Sequence, residues 1–168
     1  NASLRTFGEV LPYAAQTRRP VIYLTLWANY ALGGLNVIGY HAFNLSVHLA
    51  AGLALFGVVS RTLKLPGVRE RIAASADRFA FCVAFIWTLH PLQTQAVTYV
   101  VQRMTSMAVS FYLLSLLLYV YGRLSHVVWT RWAFWVGGVL SWILALGTKQ
   151  IAATLPLVLL LYEWYFFQ

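Results

Sequence analysis

Hydrophobic runs broken by short polar segments set the layout of the chain. Residues 1–20 are mixed and proline-punctuated, which predicts an irregular or short amphipathic segment at a membrane surface. Val21–Leu32 is apolar but too short to cross a bilayer, since a helix rises about 1.5 Å per residue and the hydrocarbon core is about 30 Å thick. The turn Gly33-Gly34-Leu35-Asn36 stops it, and an interfacial helix or the tail of a preceding span is the expected form. His41–Leu63 is the first run of spanning length. Lys64–Arg78 is a charged loop containing Pro66 and Gly67, followed by a short second span at Phe79–His90. A third span is expected at Arg103–Gly122, and Arg123 to Arg131 forms a second basic loop. Trp132–Gly147 and Ile151–Phe167 complete the series across the tight turn Thr148-Lys149-Gln150. No internal repeat interrupts the order. The pattern predicts an all-α polytopic membrane helix bundle of about five spans plus interfacial helices. It forms one transmembrane domain over 1–168, with an outer interfacial segment (1–40) and a helix bundle (41–168).

The stretch Leu89–Arg103, LHPLQTQAVTYVVQR, departs most from this pattern. Backbone that leaves the helix at membrane depth survives only where water or protein satisfies its N–H and C=O groups, so this segment belongs at a bilayer edge or on a cavity wall. Within it Gln95 and Gln102, with Ser106 beyond, fall at i, i+7 and i+11, the spacing of one helix face. In the preceding span His41, Asn44 and His48 fall at i, i+3 and i+7. That stripe predicts hydrogen bonds to a neighbouring helix, because polar residues in spans face the bundle. A metal site would need further ligands, and none is visible near it.

Composition agrees with the bilayer reading. Hydrophobic residues make up 61% of the 168 and charged residues 10%, against about 25% charged in soluble domains. The net charge of +8 lies mostly in short loops between spans, where it orients the chain and meets lipid phosphates. Basic residues interleaved with stacking aromatics on one polar face are absent, so nucleic acid is not an expected partner. Cys82 stands alone inside an apolar run and predicts no disulfide.

The cations divide unevenly. Arg61, Lys64, Arg69, Arg71 and Arg78 flank one set of span ends, joined by Arg123 and Arg131. The positive-inside rule makes loops 64–78 and 123–131 cytoplasmic. The opposite side then gathers Arg5, Arg18 and Arg19, the His90 to Arg103 segment, and Lys149-Gln150. Arginine and lysine at the mouth of a membrane cavity suit phosphate, the first as a planar fork and the second as a point charge. Interfacial snorkelling with ordinary helix capping accounts for the same residues. No nucleophile–base pair, glycine-rich phosphate loop or CxxC is present, and no cofactor is expected. Of the four acidic residues, Glu163 fits a pairing role at the inner interface, and only Glu9 lies on the outer side.

Three blocks carry a resemblance: RPVIYLTLWANYALGGLNVIGYHAFNLSVHL (Arg19–Leu49), the Leu89–Arg103 stretch, and LGTKQIAATLPLVLLLYEWYFF (Leu146–Phe167). In this order they resemble membrane glycosyltransferases of the GT-C superfold. These include bacterial multi-pass proteins, often with tetratricopeptide repeats, and the similar eukaryotic transmembrane-and-tetratricopeptide O-mannosyltransferases. The resemblance implies sugar transfer from a polyprenyl-phosphate donor to a protein or glycan acceptor, on the outer face of what is expected to be a bacterial cytoplasmic membrane. Arg19 matches the family's R-P block. His90, Gln93, Gln95, Gln102 and Arg103 match its H-P-x-x-T block, and Lys149 matches its lysine turn. By that match Arg103 and Lys149 would hold donor phosphate and His90 would position the headgroup. The family's acidic pair belongs to a loop upstream of Asn1, so the catalytic base is expected outside this chain. Gln95 and Gln150 stand where relatives carry Glu. The competing reading is a non-catalytic membrane scaffold of the same fold, assembled with other membrane subunits.

Overall fold

The computed structural model describes residues 6–17, 19–66 and 68–167. The expectations for Arg5, Arg18 and Gly67 lie outside them. The described residues are helical: α1 (Phe7–Gln16), α2 (Pro20–Gly33), α3 (Val37–Leu63), α4 (Glu70–Ala73), α5 (Ala76–Leu89), α6 (Thr94–Thr98), α7 (Arg103–Leu124), α8 (Val128–Leu146) and α9 (Leu155–Phe166). Two stretches are long and apolar enough to cross a membrane, α3 and Val100–Leu124, which is α7 with its leading turn.

Local chemistry sets the boundaries. Pro20 opens α2, where its missing N–H costs nothing. Gly34 turns the chain into α3 with φ of +58°, a conformation L side chains resist. The Asn36 side chain then caps α3 by accepting from the Ile38 amide at 3.0 Å. Pro91 forces His90 into an extended conformation and ends α5. Tyr99 is extended as well (φ −101°, ψ 109°), which separates α6 from the turn leading into α7.

α7 is the central helix, packed against α3 on one side and α8 on the other, with α5 on the far side of α3. Small residues fill these interfaces: Gly52, Ala80, Ala84, Ala108, Gly138 and Ala145 are buried. Large apolar side chains point outward, Leu53 being 71% and Ile86 64% exposed. Small inside and large outside is the arrangement expected when lipid replaces water as the solvent. Serines fasten the seams through facing carbonyls: Ser110 donates to Val47 O at 2.8 Å, Ser115 to Gly138 O at 2.7 Å and Ser141 to Phe111 O at 2.9 Å.

The closest seam lies between α7 and α8. A Cβ on Gly122 would sit 2.4 Å from Trp135 Cδ1 and Nε1. To admit that methyl group the indole must shift or the two helices must part. Gly122→Ala is therefore expected to destabilise the bundle by about 1–3 kcal/mol, the usual cost of overpacking, read from thermal unfolding in micelles.

The helices alternate in direction. One end, here the upper end, holds the start of α7, the end of α5 and the α8–α9 turn. The lower end holds the Lys64–Asp77 ion pair at 2.6 Å and the Arg123–Glu163 pair at 2.6 Å. Hydrogen bonds from Lys64 and Ser60 hold the Asp77 carboxyl below the usual carboxylate range. Glu163 thus pairs at the end of the last helix, as its position suggested. α2 lies across the upper end, tied to α8 by the Val21 amide donating to Gly147 O at 3.2 Å. α1 packs on α2 through Phe7–Trp27 and Tyr13–Tyr23 ring contacts.

Candidate functional site

The start of α7 is the junction of the upper end. Arg103 is fully buried there. Its Nε donates to Asn44 Oδ1 at 2.8 Å, and Nη1 donates to Asn29 Oδ1 at 2.6 Å and Thr25 O at 3.3 Å. Nη2 donates to Tyr40 O at 3.2 Å. The guanidinium carbon lies 4.4 Å from the Phe43 ring centre and 5.6 Å from that of Tyr40. One residue thereby joins α2, α3 and α7. All these acceptors are neutral, so oriented dipoles and ring faces compensate a cation that has no carboxylate beside it. Neutral acceptors return less Coulombic energy than a carboxylate would but avoid the desolvation of a second charge.

The predicted stripe on α3 works as expected. His41 Nδ1 lies 3.0 Å from Val97 O, Asn44 Nδ2 donates toward the same carbonyl at 3.4 Å, and His48 Nε2 lies 3.0 Å from Thr88 O. These carbonyls belong to the broken segment and to the end of α5, whose backbone would otherwise lack partners. A carbonyl partner requires His48 to carry its proton on Nε2, which leaves Nδ1 of the neutral ring an acceptor.

Next to this turn lies a cavity of about 50 Å³ whose wall mixes polar residues (His48, Gln93, Gln102, Thr105, Ser106) with apolar ones (Ala51, Trp87, Ala96, Val109). Lys149 reaches its wall, Nζ donating to Thr105 Oγ1 at 2.9 Å. On the same turn of α7, Arg19 Nη1 donates to Met104 Sδ at 3.2 Å, a weak acceptor for a guanidinium. Arg103 and the two residues that Arg19 and Lys149 touch are thus consecutive on the first turn of α7, each on a different side of the helix. Both Arg19 and Lys149 are half-buried and keep donors beyond these bonds.

Of the residues singled out in the sequence, Arg19, Gln93, Gln102, Arg103 and Lys149 come together here. His90 and Gln95 do not. His90 is exposed and uses Nδ1 to accept from the Leu92 amide at 3.2 Å, a cap on the turn. Gln95 lies exposed on α6, because the break at Tyr99 takes it off the helix that carries Gln102 and Ser106. Thr25 and Asn29 were not anticipated, since α2 shows no polar stripe to point at them. Among the described residues, no group of three or more His, Cys, Asp or Glu is placed to hold a metal ion.

No family model matches the chain, and no solved structure matches it. Curated relatives do. Protein O-mannosyl-transferase TMTC2 of Mus musculus and of Homo sapiens are each 33% identical over 116 residues, 68% of this chain and 13% of theirs. Protein O-mannosyl-transferase Tmtc1 of Drosophila melanogaster is 31% identical over 136 residues, 81% of this chain and 14% of its own length. The chain therefore spans about one seventh of the relatives it matches. Over that part, it is similar to proteins named as protein O-mannosyl-transferases, and that similarity supports a glycosyltransferase kinship.

Proposed function

We propose that this chain forms part of the membrane domain of a protein O-mannosyltransferase, and that its upper end receives the phosphate of a polyprenyl-phosphate-linked mannose on the extracytoplasmic face. The approach of Arg19 and Lys149 to the turn of α7 that Arg103 opens, next to a small cavity of mixed polarity, is the observation that carries this reading. The names of the relatives supply the transfer chemistry and the protein acceptor. In this reading the bundle has about five spans, and the cation-rich lower end faces the cytoplasm. α3 and α7 cross at full length with α8 beside them, whereas α5 and α9, of 14 and 12 residues, reach both interfaces only with the turns that flank them.

The reaction breaks the bond between the sugar's anomeric carbon and the phosphate oxygen. An acceptor hydroxyl oxygen takes the carbon, its proton passes to a base supplied by another segment of the protein, and the phosphate leaves with the bonding pair. Charge therefore grows on the phosphate as the bond breaks, and fixed cations there stabilise the transition state more than the ground state. Lys149 and Arg19 have donors to give to that charge. Arg103 contributes its field from beneath, with its own N–H groups largely committed to Asn29, Asn44 and two carbonyls.

The test is transfer by the full-length protein in vesicles with a serine- and threonine-containing peptide acceptor. Mannosyl-phosphoryl-polyprenol is expected to serve as donor, with product on the side of the upper end. Transfer from nucleotide-linked mannose instead, or no transfer from either donor, would overturn the proposal.

A further inference from the structure

A second cavity, of about 570 Å³, lies between α7, α8 and α9 and takes no part in the chemistry above. It is within the usual size of a small-molecule site, roughly 300–1,000 Å³. Its walls are apolar: Trp135, Val139, Trp142, Leu155 and Leu159. It exists because α9 is held at its two ends. Leu155 is buried at the upper end, and Tyr162 shares a hydrogen bond of 2.6 Å with Thr62 at the lower end.

The lower mouth of the cleft is polar. Arg123 gives Nε and Nη2 to the Glu163 carboxylate, at 3.1 and 2.6 Å, and stacks on Phe167 at 4.6 Å. Tyr119 donates to the same carboxylate. Glu163 is thereby satisfied, whereas both N–H groups of Arg123 Nη1 have no acceptor among the described residues. The surroundings carry excess positive charge, because the cations of 61–78 and 123–131 outnumber Glu70, Asp77 and Glu163. Trp135 contributes its apolar ring only, since its Nε1 is turned toward Gly122 on α7 and is buried away from the cleft.

We propose that this cleft binds an anionic glycerophospholipid, one acyl chain lying along the apolar walls and the phosphate resting on Arg123. An apolar trough with a single cationic mouth at one helix end matches an amphiphile, and the excess positive charge selects an anionic headgroup.

The experiment is native mass spectrometry of the full-length protein, titrated with dioleoyl phosphatidylglycerol or dioleoyl phosphatidylcholine. One phosphatidylglycerol is expected to be retained in preference to phosphatidylcholine. Leu159→Trp, which fills the trough and leaves the mouth intact, is expected to abolish that retention. The paired change Arg123→Gln with Glu163→Gln removes the cation without stranding a carboxylate, and is expected to reduce the preference roughly fivefold. Equal retention of the two lipids, or no response to Leu159→Trp, would overturn the proposal. So would a Val139→Cys side chain that stays shielded from a lipid-soluble maleimide in delipidated protein, since polypeptide would then cover the cleft.

Discussion

Asn44→Leu is expected to cost about 3–5 kcal/mol of stability, more than any other single change at the upper end. Asn44 and Arg103 are both fully buried, and Asn44 Oδ1 is the sole acceptor for Arg103 Nε. Leucine keeps asparagine's branch and its number of side-chain heavy atoms but is bulkier, so some overpacking accompanies the main loss. The loss arises because a buried cation forfeits an acceptor in a region where water cannot replace it. Asn29→Leu should cost less, about 1.5–3 kcal/mol, because Asn29 is only half-buried. Arg103→Met removes the charge along with the bonds, so combining it with Asn44→Leu should cost less than the sum of the two, by about 1 kcal/mol or more. Equilibrium unfolding in micelles gives all four corners of this cycle. An Asn44→Leu protein within about 0.5 kcal/mol of the parent would mean that the guanidinium is not locked as described.

That network shows how much of the site was legible in the sequence. The His41, Asn44 and His48 stripe was readable because three residues at i, i+3 and i+7 leave few faces to choose from. The break at His90-Pro91 was readable because proline constrains its predecessor. The other half of the network was not, because Thr25 and Asn29 sit on a helix without a clear polar face. Only its tertiary placement, with Val21 bonded to Gly147 and α2 laid across α7, brings them to Arg103. The placement of Gln95 beside Gln102 failed for a local reason. Helical spacing assumed a continuous helix, and an extended Tyr99 interrupts it.

Helix limits diverged in the same way. The 123–131 segment reads as a basic loop, yet α8 begins at Val128, inside it. Arg131 can sit in the first turn of α8 because its guanidinium reaches back to Ser125 O at 2.9 and 3.3 Å, satisfying the turn that precedes the helix. α3 starts four residues before His41, where the Asn36 cap allows it. At the last helix, Gln150–Thr154 forms a tighter 3₁₀ turn and the α-helix starts at Leu155, with Pro156 in its first turn. In each case the hydrophobic run located the helix, and a side-chain hydrogen bond or a proline set its end.

The second large effect concerns transfer rather than folding. Lys149→Gln in the full-length protein is expected to lower kcat/KM for the lipid-linked donor by about 10²–10³, the usual consequence of removing one electrostatic contact to a developing anion. Its stability should hardly change. The only side-chain hydrogen bond Lys149 gives among the described residues is to the Thr105 hydroxyl, and at this half-buried site water can take its place. Glutamine keeps a polar, hydrogen-bonding tip on a slightly shorter side chain but carries no charge, so the comparison chiefly reports the ammonium. Lys149→Arg keeps the charge in a wider, planar group and should recover part of the loss. Thr105→Val removes the hydroxyl that holds Lys149 in place while leaving its charge, and should show a smaller fall, mainly in KM. This ordering, Gln worst, then Arg, then the Thr105 change, is what a phosphate contact requires, because charge dominates over position. If Lys149→Gln turned over normally while Arg103→Met and Asn44→Leu unfolded, the upper end would be a structural junction and the donor phosphate would bind elsewhere in the protein.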